Sequence, residues 1–126
     1  MTVGSTSTPS VGQPHLSEVR ATRLRHRLAA AWVRHAADAR EHRSTVSELF
    51  GETDSANVRK RQAAEAKLGR SNDAIIEAFN ALLRFDSGSY GNCDRCGMPI
   101  QAARLEAAPQ GRLCVECGDT AVGWLG

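Results

Sequence analysis

The chain has 126 residues, of which 41% are apolar and only 5% aromatic, with 16 basic and 14 acidic side chains and a net charge of +2. That length allows one domain, or a small module joined to an extended element, and the few aromatics keep any core modest. The longest unbroken apolar run, Leu28 to Val33, is far short of the roughly 20 residues that a membrane span needs, so a soluble protein is expected.

The charge is unevenly spread: residues 1–50 hold seven arginines against four acidic groups, and the remainder nine basic against ten acidic. Residues 1–14 are Ser, Thr, Gly and Pro with scattered small apolar residues and no charge. Such a composition offsets little of the entropy of ordering, and a disordered tail is expected. From Leu16 to Phe50 there is neither Gly nor Pro, and the stretch is dense in Ala, Arg, Glu and Leu. It reads as one long helix, about 50 Å at 1.5 Å per residue, with Ser17 as N-cap. Its apolar stripe runs Leu24, Leu28, Ala31, His35, His42, Val46 and Leu49.

Gly51 fits the left-handed position that ends a helix, and Asp54 or Ser55 the N-cap of the next. The second helix is expected to run to about Arg84, with a seam at Leu68, Asn72, Ile75, Phe79 and Leu82 spaced 4, 3, 4, 3. Two long helices joined by so short a turn pack antiparallel, and the fold class is mainly α, a coiled-coil hairpin. Apolar side chains thin out toward the turn, so the tip half is expected to be the looser half. Asp86-Ser87-Gly88-Ser89 reads as the link between the second helix and the cysteine-bearing segment. The predicted organisation is a tail over 1–14, a hairpin over 15–86 with its tip at about 51–56, and a cysteine-bearing module over 87–126 that ends in a short helix. Trp124 and Leu125 are expected to pack on that module or on the helix base.

All four cysteines of the chain, Cys93, Cys96, Cys114 and Cys117, form two C-x-x-C knuckles separated by seventeen residues. Four thiolates at that spacing make a closed tetrahedral zinc site. Gly97 and Gly118 follow the two knuckles, and a residue without Cβ lets the backbone turn and aim N–H groups at the sulfurs. Two disulfides or a redox pair are the alternatives. No run resembling a signal peptide precedes the cysteines and no βαβ pattern surrounds them, which favours zinc in a reducing cytoplasm. No histidine lies after His42, so one structural zinc is expected rather than a catalytic one. No phosphate-cradling loop or nucleophile elbow is present, and the chain is not expected to be an enzyme.

The block Tyr90-Gly91-Asn92-Cys93-Asp94-Arg95-Cys96-Gly97, then Pro99-Ile100, Arg104-Leu105-Glu106-Ala107 and Pro109, then Leu113-Cys114-Val115-Glu116-Cys117, resembles the DksA/TraR C4 zinc-finger family. The resemblance implies a bacterial transcription regulator that binds RNA polymerase, not DNA, and puts its coiled-coil tip into the secondary channel. The family's tip motif is D-x-x-D-x-A. Gly51-Glu52-Thr53-Asp54-Ser55-Ala56 keeps the second acid as Asp54 and the alanine as Ala56, while Gly51 replaces the first acid and Glu52 follows one position late. In the family, basic residues of the second helix and the zinc module help bind the alarmone ppGpp. Here those positions fall near Glu77 or Ala78, at Ala108 and at Gly118, none of them basic, so polymerase binding without ppGpp synergy is expected.

A second reading is a zinc-containing coiled-coil adaptor, or a nucleic-acid- or ribosome-associated binding protein. It draws on Arg20, Arg23, Arg25, Arg27, Arg34, Arg40 and Arg43, with His26, His35 and His42, on the first helix. Because these cations scatter around the helix among acidic residues, a solvated face is the simpler reading. Sequence-specific DNA binding is not expected, and His35 and His42 are assigned to the seam.

Overall fold

The computed structural model describes residues 15–118; the expected tail at 1–14 and the last residues, Trp124 and Leu125 among them, lie outside the described residues. Two long helices, α1 (Glu18–Glu48) and α2 (Ser55–Ser87), are followed by a short one, α3 (Ala102–Ala107). Among the described residues there are no strands, only an antiparallel bridge between Asn92 and Pro99, and residues 115–118 form a last helical turn. The architecture is an antiparallel two-helix coiled-coil hairpin with a four-cysteine module after it.

Local chemistry sets the helix ends. The Arg20 N–H donates to Ser17 Oγ at 3.0 Å, so Ser17 is the N-cap of α1, and Glu18 adds negative charge in the first turn. At the other end the Phe50 N–H donates to the Ser47 carbonyl at 3.3 Å and the Glu52 N–H to the Leu49 carbonyl at 3.2 Å. Gly51 takes φ +84° there, a conformation that costs a residue with Cβ. The guanidinium of Arg61 also donates to the Leu49 carbonyl, at 3.5 Å, satisfying one of the acceptors that a helix end leaves open. Asp54 caps α2: its Oδ2 accepts from the Ala56 N–H at 3.1 Å and the Asn57 N–H at 3.4 Å.

The end of α2 corrects the expectation. The helix continues past Arg84 to Ser87, and Gly88 turns it off at φ +80°. The Ser89 N–H reaches the Arg84 carbonyl at 2.9 Å and the Gly88 N–H the Phe85 carbonyl at 3.2 Å. Those are the two bonds of a Schellman motif with Gly88 at C′, so Asp86 and Ser87 are helical and not linker.

The chain divides into two compact units, one from Met1–Ala29 with Phe79–Gly126 and the other Ala30–Ala78. In the first, Leu16, Leu24, Leu28, Ala81, Tyr90, Ile100 and Leu105 form one core with Cys93 and Cys114. In the second, the residues wholly buried are small: Ala39, Ala64, Ala78 and Ser71. His35, His42, Val46 and Leu49 are half-buried as expected of the α1 stripe. The α2 seam differs from the expected one. Leu68, Ile75 and Leu82 do face inward, but their partners are Ser71 and Ala78. Asn72 is exposed and Phe79 is 46% exposed. The inward-facing positions 64, 68, 71, 75, 78, 82 and 85, with Ala81 wholly buried beside them, keep the 4, 3 alternation and leave Asn72 and Phe79 outside it. The wholly buried positions of α2 are the small ones, Ala64, Ser71, Ala78 and Ala81, side chains of a size that permits close helix packing.

Candidate metal centre

The first knuckle is built by a tight backbone turn. The Cys93 N–H donates to the Met98 carbonyl at 2.8 Å and the Gly97 N–H back to the Cys93 carbonyl at 2.9 Å. Gly97 adopts φ +78°, as its place after the knuckle predicts. The Ile100 N–H closes the loop on the Gly91 carbonyl at 2.7 Å, and the Asp94 N–H reaches across to the Arg112 carbonyl at 2.8 Å. The second knuckle leads into the helical turn at 115–118, where the Gly118 N–H donates to the Cys114 carbonyl at 2.8 Å. Gly118 has no left-handed backbone. Its reason is space, since a Cβ there would run into the Arg104 guanidinium, which itself donates to the Leu113 carbonyl at 3.0 Å.

The four thiols come together as the spacing predicts. All four are free, and their Sγ atoms lie within 4.8 Å of one another. A tetrahedron with Zn–S bonds of about 2.3 Å has sulfur–sulfur edges of about 3.8 Å, and Cys96 Sγ stands 3.7 Å from Cys114 Sγ. That separation is nearly twice a disulfide bond, so the disulfide alternative does not describe this arrangement. Burial works against the Cys93 thiolate, but N–H groups of Cys114, Cys96 and Arg95 outweigh it and hold the thiol down at about 6. Arg95 N–H donates to its sulfur at 3.4 Å, and Cys117 N–H to Cys114 Sγ at 3.5 Å. Burial and the crowding of the other three thiols push Cys117 up to about 12. Four sulfurs this close carry four charges only with a cation among them, and one zinc ion fits that demand. Bound zinc would supply a structural cross-link; the chain's own N–H groups orient and stabilise the thiolates around it.

Tyr90 fastens the module to the helix pair. Its ring lies parallel to Phe85 with centroids 3.9 Å apart, and its hydroxyl donates to the Pro109 carbonyl at 2.8 Å. The guanidinium of Arg84 donates to the Gln110 carbonyl at 3.2 Å, and burial lowers its pKa, with Asp94 opposing.

One feature of this module escapes the sequence. Arg20, Arg23 and Arg27 of α1 converge on the Glu106 carboxylate of α3, Arg20 at 3.2 Å, Arg27 at 3.4 Å, and Arg23 in direct contact. Arg27 also donates to the Glu106 carbonyl at 2.9 Å. Arg25 pairs with Asp86 at 3.2 Å and lies over the Phe85 ring. These four arginines are therefore engaged, not a plain solvated face. The i, i+3, i+7 spacing of Arg20, Arg23 and Arg27 was the available signal, and its acceptor lies some eighty positions away.

At the other predicted site, Glu52 and Asp54 lie in the α1–α2 turn and Ala56 in the first turn of α2, and all three are exposed. Glu52 Oε1 accepts from Asn57 Nδ2 at 3.0 Å, so both acids of the turn bind the start of α2.

Residues 88–121 match the model of the prokaryotic dksA/traR C4-type zinc finger. The chain is 34% identical over 116 residues to the RNA polymerase-binding transcription factor DksA of Caulobacter vibrioides, covering 86% of this chain and 80% of that one. It is 44% identical over 45 residues to the uncharacterized protein YbiI of Escherichia coli, 36% of this chain and 49% of that one. The structure of transcription factor DksA2 from Pseudomonas aeruginosa superposes with a TM-score of 0.75 at 23% identity, covering 85% of this chain and 86% of its own; at that identity the likeness speaks for the fold. With the four-sulfur site, the hairpin before it and a relative matched over four fifths of its length all in agreement, the chain belongs to the DksA/TraR C4-type zinc-finger family.

Proposed function

We propose that this protein is a transcription regulator that binds RNA polymerase and inserts the hairpin tip, with Asp54, Ala56 and Glu52, into the secondary channel. The observation that carries the reading is the 34% identity over most of both chains to a protein named an RNA polymerase-binding transcription factor. No helix among the described residues is long and apolar enough to cross a membrane. In this reading Asp54 has two roles. Its carboxylate caps α2, and its charge acts on the electrostatics around the polymerase catalytic centre.

Synergy with ppGpp is not part of the proposal. The positions that would have to be basic are Glu77 or Ala78, Ala108 and Gly118; Ala78 is buried in the seam, and a side chain at Gly118 would have to displace the Arg104 guanidinium. Affinity capture from a bacterial lysate, scored for polymerase subunits against ribosomal proteins, tests the reading. Polymerase subunits are expected. Ribosomal proteins alone would favour the adaptor reading instead.

A further inference from the structure

A concavity of about 240 Å³ opens on the Ala30–Ala78 unit, between the middle turns of α1 and α2. The α1 wall carries His35, Asp38 and His42, spaced i, i+3, i+7 on one face, and the α2 wall carries Lys67, Arg70 and the buried Ser71. No ion pair or side-chain hydrogen bond joins Asp38, Lys67, Arg70 or Ser71 to another described residue, although Glu106, Asp86, Glu65 and Asp94 each have a cationic partner. Two cations, two imidazoles and a hydroxyl thus border one hollow, and a single carboxylate opposes them.

The chemistry selects the class of ligand. The only group of three or more His, Cys, Asp or Glu side chains close enough to chelate a metal among the described residues is the cysteine set, and a cation entering the hollow would meet Lys67 and Arg70. An anion meets complementary charge from both, a donor from Ser71, and imidazoles that donate from one nitrogen when neutral and from both when protonated. The volume lies below the about 300–1,000 Å³ of pockets for drug-sized ligands, which suits a compact multivalent ion. We propose that this hollow is a binding site for a small oxyanion of the phosphate class, such as pyrophosphate. Asp38 offsets part of the attraction of the two cations, and what remains grows in proportion to the charge of the anion, which favours a multivalent ion over a singly charged one.

The test uses the full zinc-loaded chain and sodium pyrophosphate as the probe, followed by the NMR signals of the His35 and His42 rings at constant ionic strength. Saturable shifts of both rings are expected, with a Kd of about 1 mM or tighter. The double variant Lys67→Gln, Arg70→Gln keeps good helix formers and should weaken binding about tenfold or more. Lys60→Gln, an exposed site elsewhere on α2, should leave it unchanged. Should the double variant lose helix by circular dichroism, Ser71→Ala, which favours the helix and deletes only the hydroxyl, takes its place with a weaker but measurable loss. Shifts that fail to saturate, that chloride reproduces at equal ionic strength, or that survive both variants overturn the proposal.

Discussion

Replacing Tyr90 by Phe isolates one bond at the junction of α2 and the zinc module. Tyr90 is 1% exposed, its hydroxyl donates to the Pro109 carbonyl at 2.8 Å, and its ring stacks on Phe85. Phe keeps the ring, the burial and the stack, and leaves the Pro109 carbonyl without its donor. The expected loss is about 1–2 kcal/mol of unfolding free energy, read from denaturant midpoints of the zinc-loaded protein. The same hydroxyl predicts a slope at high pH. Burial pushes the Tyr90 pKa up to about 12 from 10.0, against the lowering pull of Arg84 and Arg27. The folded state therefore holds the neutral phenol, and unfolding releases it to ionise near its ordinary value. This contribution is intact below pH 10 and is lost as the pH rises toward 12, about 3 kcal/mol over that window. Tyr90 is the single tyrosine of the chain, so tyrosinate absorbance reports it alone. A native phenol that ionises near pH 10, or a Phe variant as stable as wild type at neutral pH with the same alkaline slope, would refute the reasoning.

Purified protein should contain about one zinc per chain, and Cys114→Ser should lose both the metal and the order of residues 90–118, because binding energy at such sites, about 10–16 kcal/mol in small zinc peptides, is folding energy; a metal-free yet ordered module would falsify the zinc assignment. Amide hydrogens of residues 40–65 should exchange faster than those of residues 72–85, since the first segment buries only Ala64 whereas the second buries Ala78 and Ala81 and packs Leu82 and Phe85 on the core, and equal protection would contradict the link between burial and local stability. Glu106→Gln should lower stability by about 1–2 kcal/mol at low salt and less at high salt, because it leaves three arginines facing one another with partly exposed ion pairs lost; a salt-independent effect would show that the carboxylate acts through packing.

What the sequence reveals here depends on how local the determinant is. The metal centre was legible because two knuckles concentrate all four ligands in a short segment and few chemistries use that spacing. Ser17, Gly51 and Asp54 were legible as helix ends because caps act within three or four residues. Gly88 carries the same kind of local signal, yet the Asp-Ser-Gly-Ser composition around it suggests a linker; only the Ser89 and Gly88 bonds back into α2 show a helix terminus. The α2 seam was misplaced by one residue at two positions because apolar bulk points to Phe79, whereas the residues buried are Ala78 and Ser71. That choice is made by the facing helix, and nothing in α2 alone encodes it. The meeting of Arg20, Arg23 and Arg27 with Glu106 is likewise a tertiary event between distant segments. The hollow lined by His35, His42, Lys67 and Arg70 needs both helices in register before it exists.

The central claim, that the tip acts within polymerase, is tested most directly by Asp54→Asn measured side by side for polymerase affinity and for effect on transcription in vitro. Asn is about as good an N-cap as Asp, so the bonds to Ala56 and Asn57 that Asp54 makes are kept while the charge is deleted. Asp54→Ala serves as the reference for a capping defect of about 1 kcal/mol. The account predicts that Asp54→Asn binds polymerase with near-normal affinity and loses its effect on transcription. An Asp54→Asn protein that regulates as well as wild type would show that the carboxylate is only a cap, and a wild-type protein that neither binds polymerase nor changes its output would contradict the account as a whole.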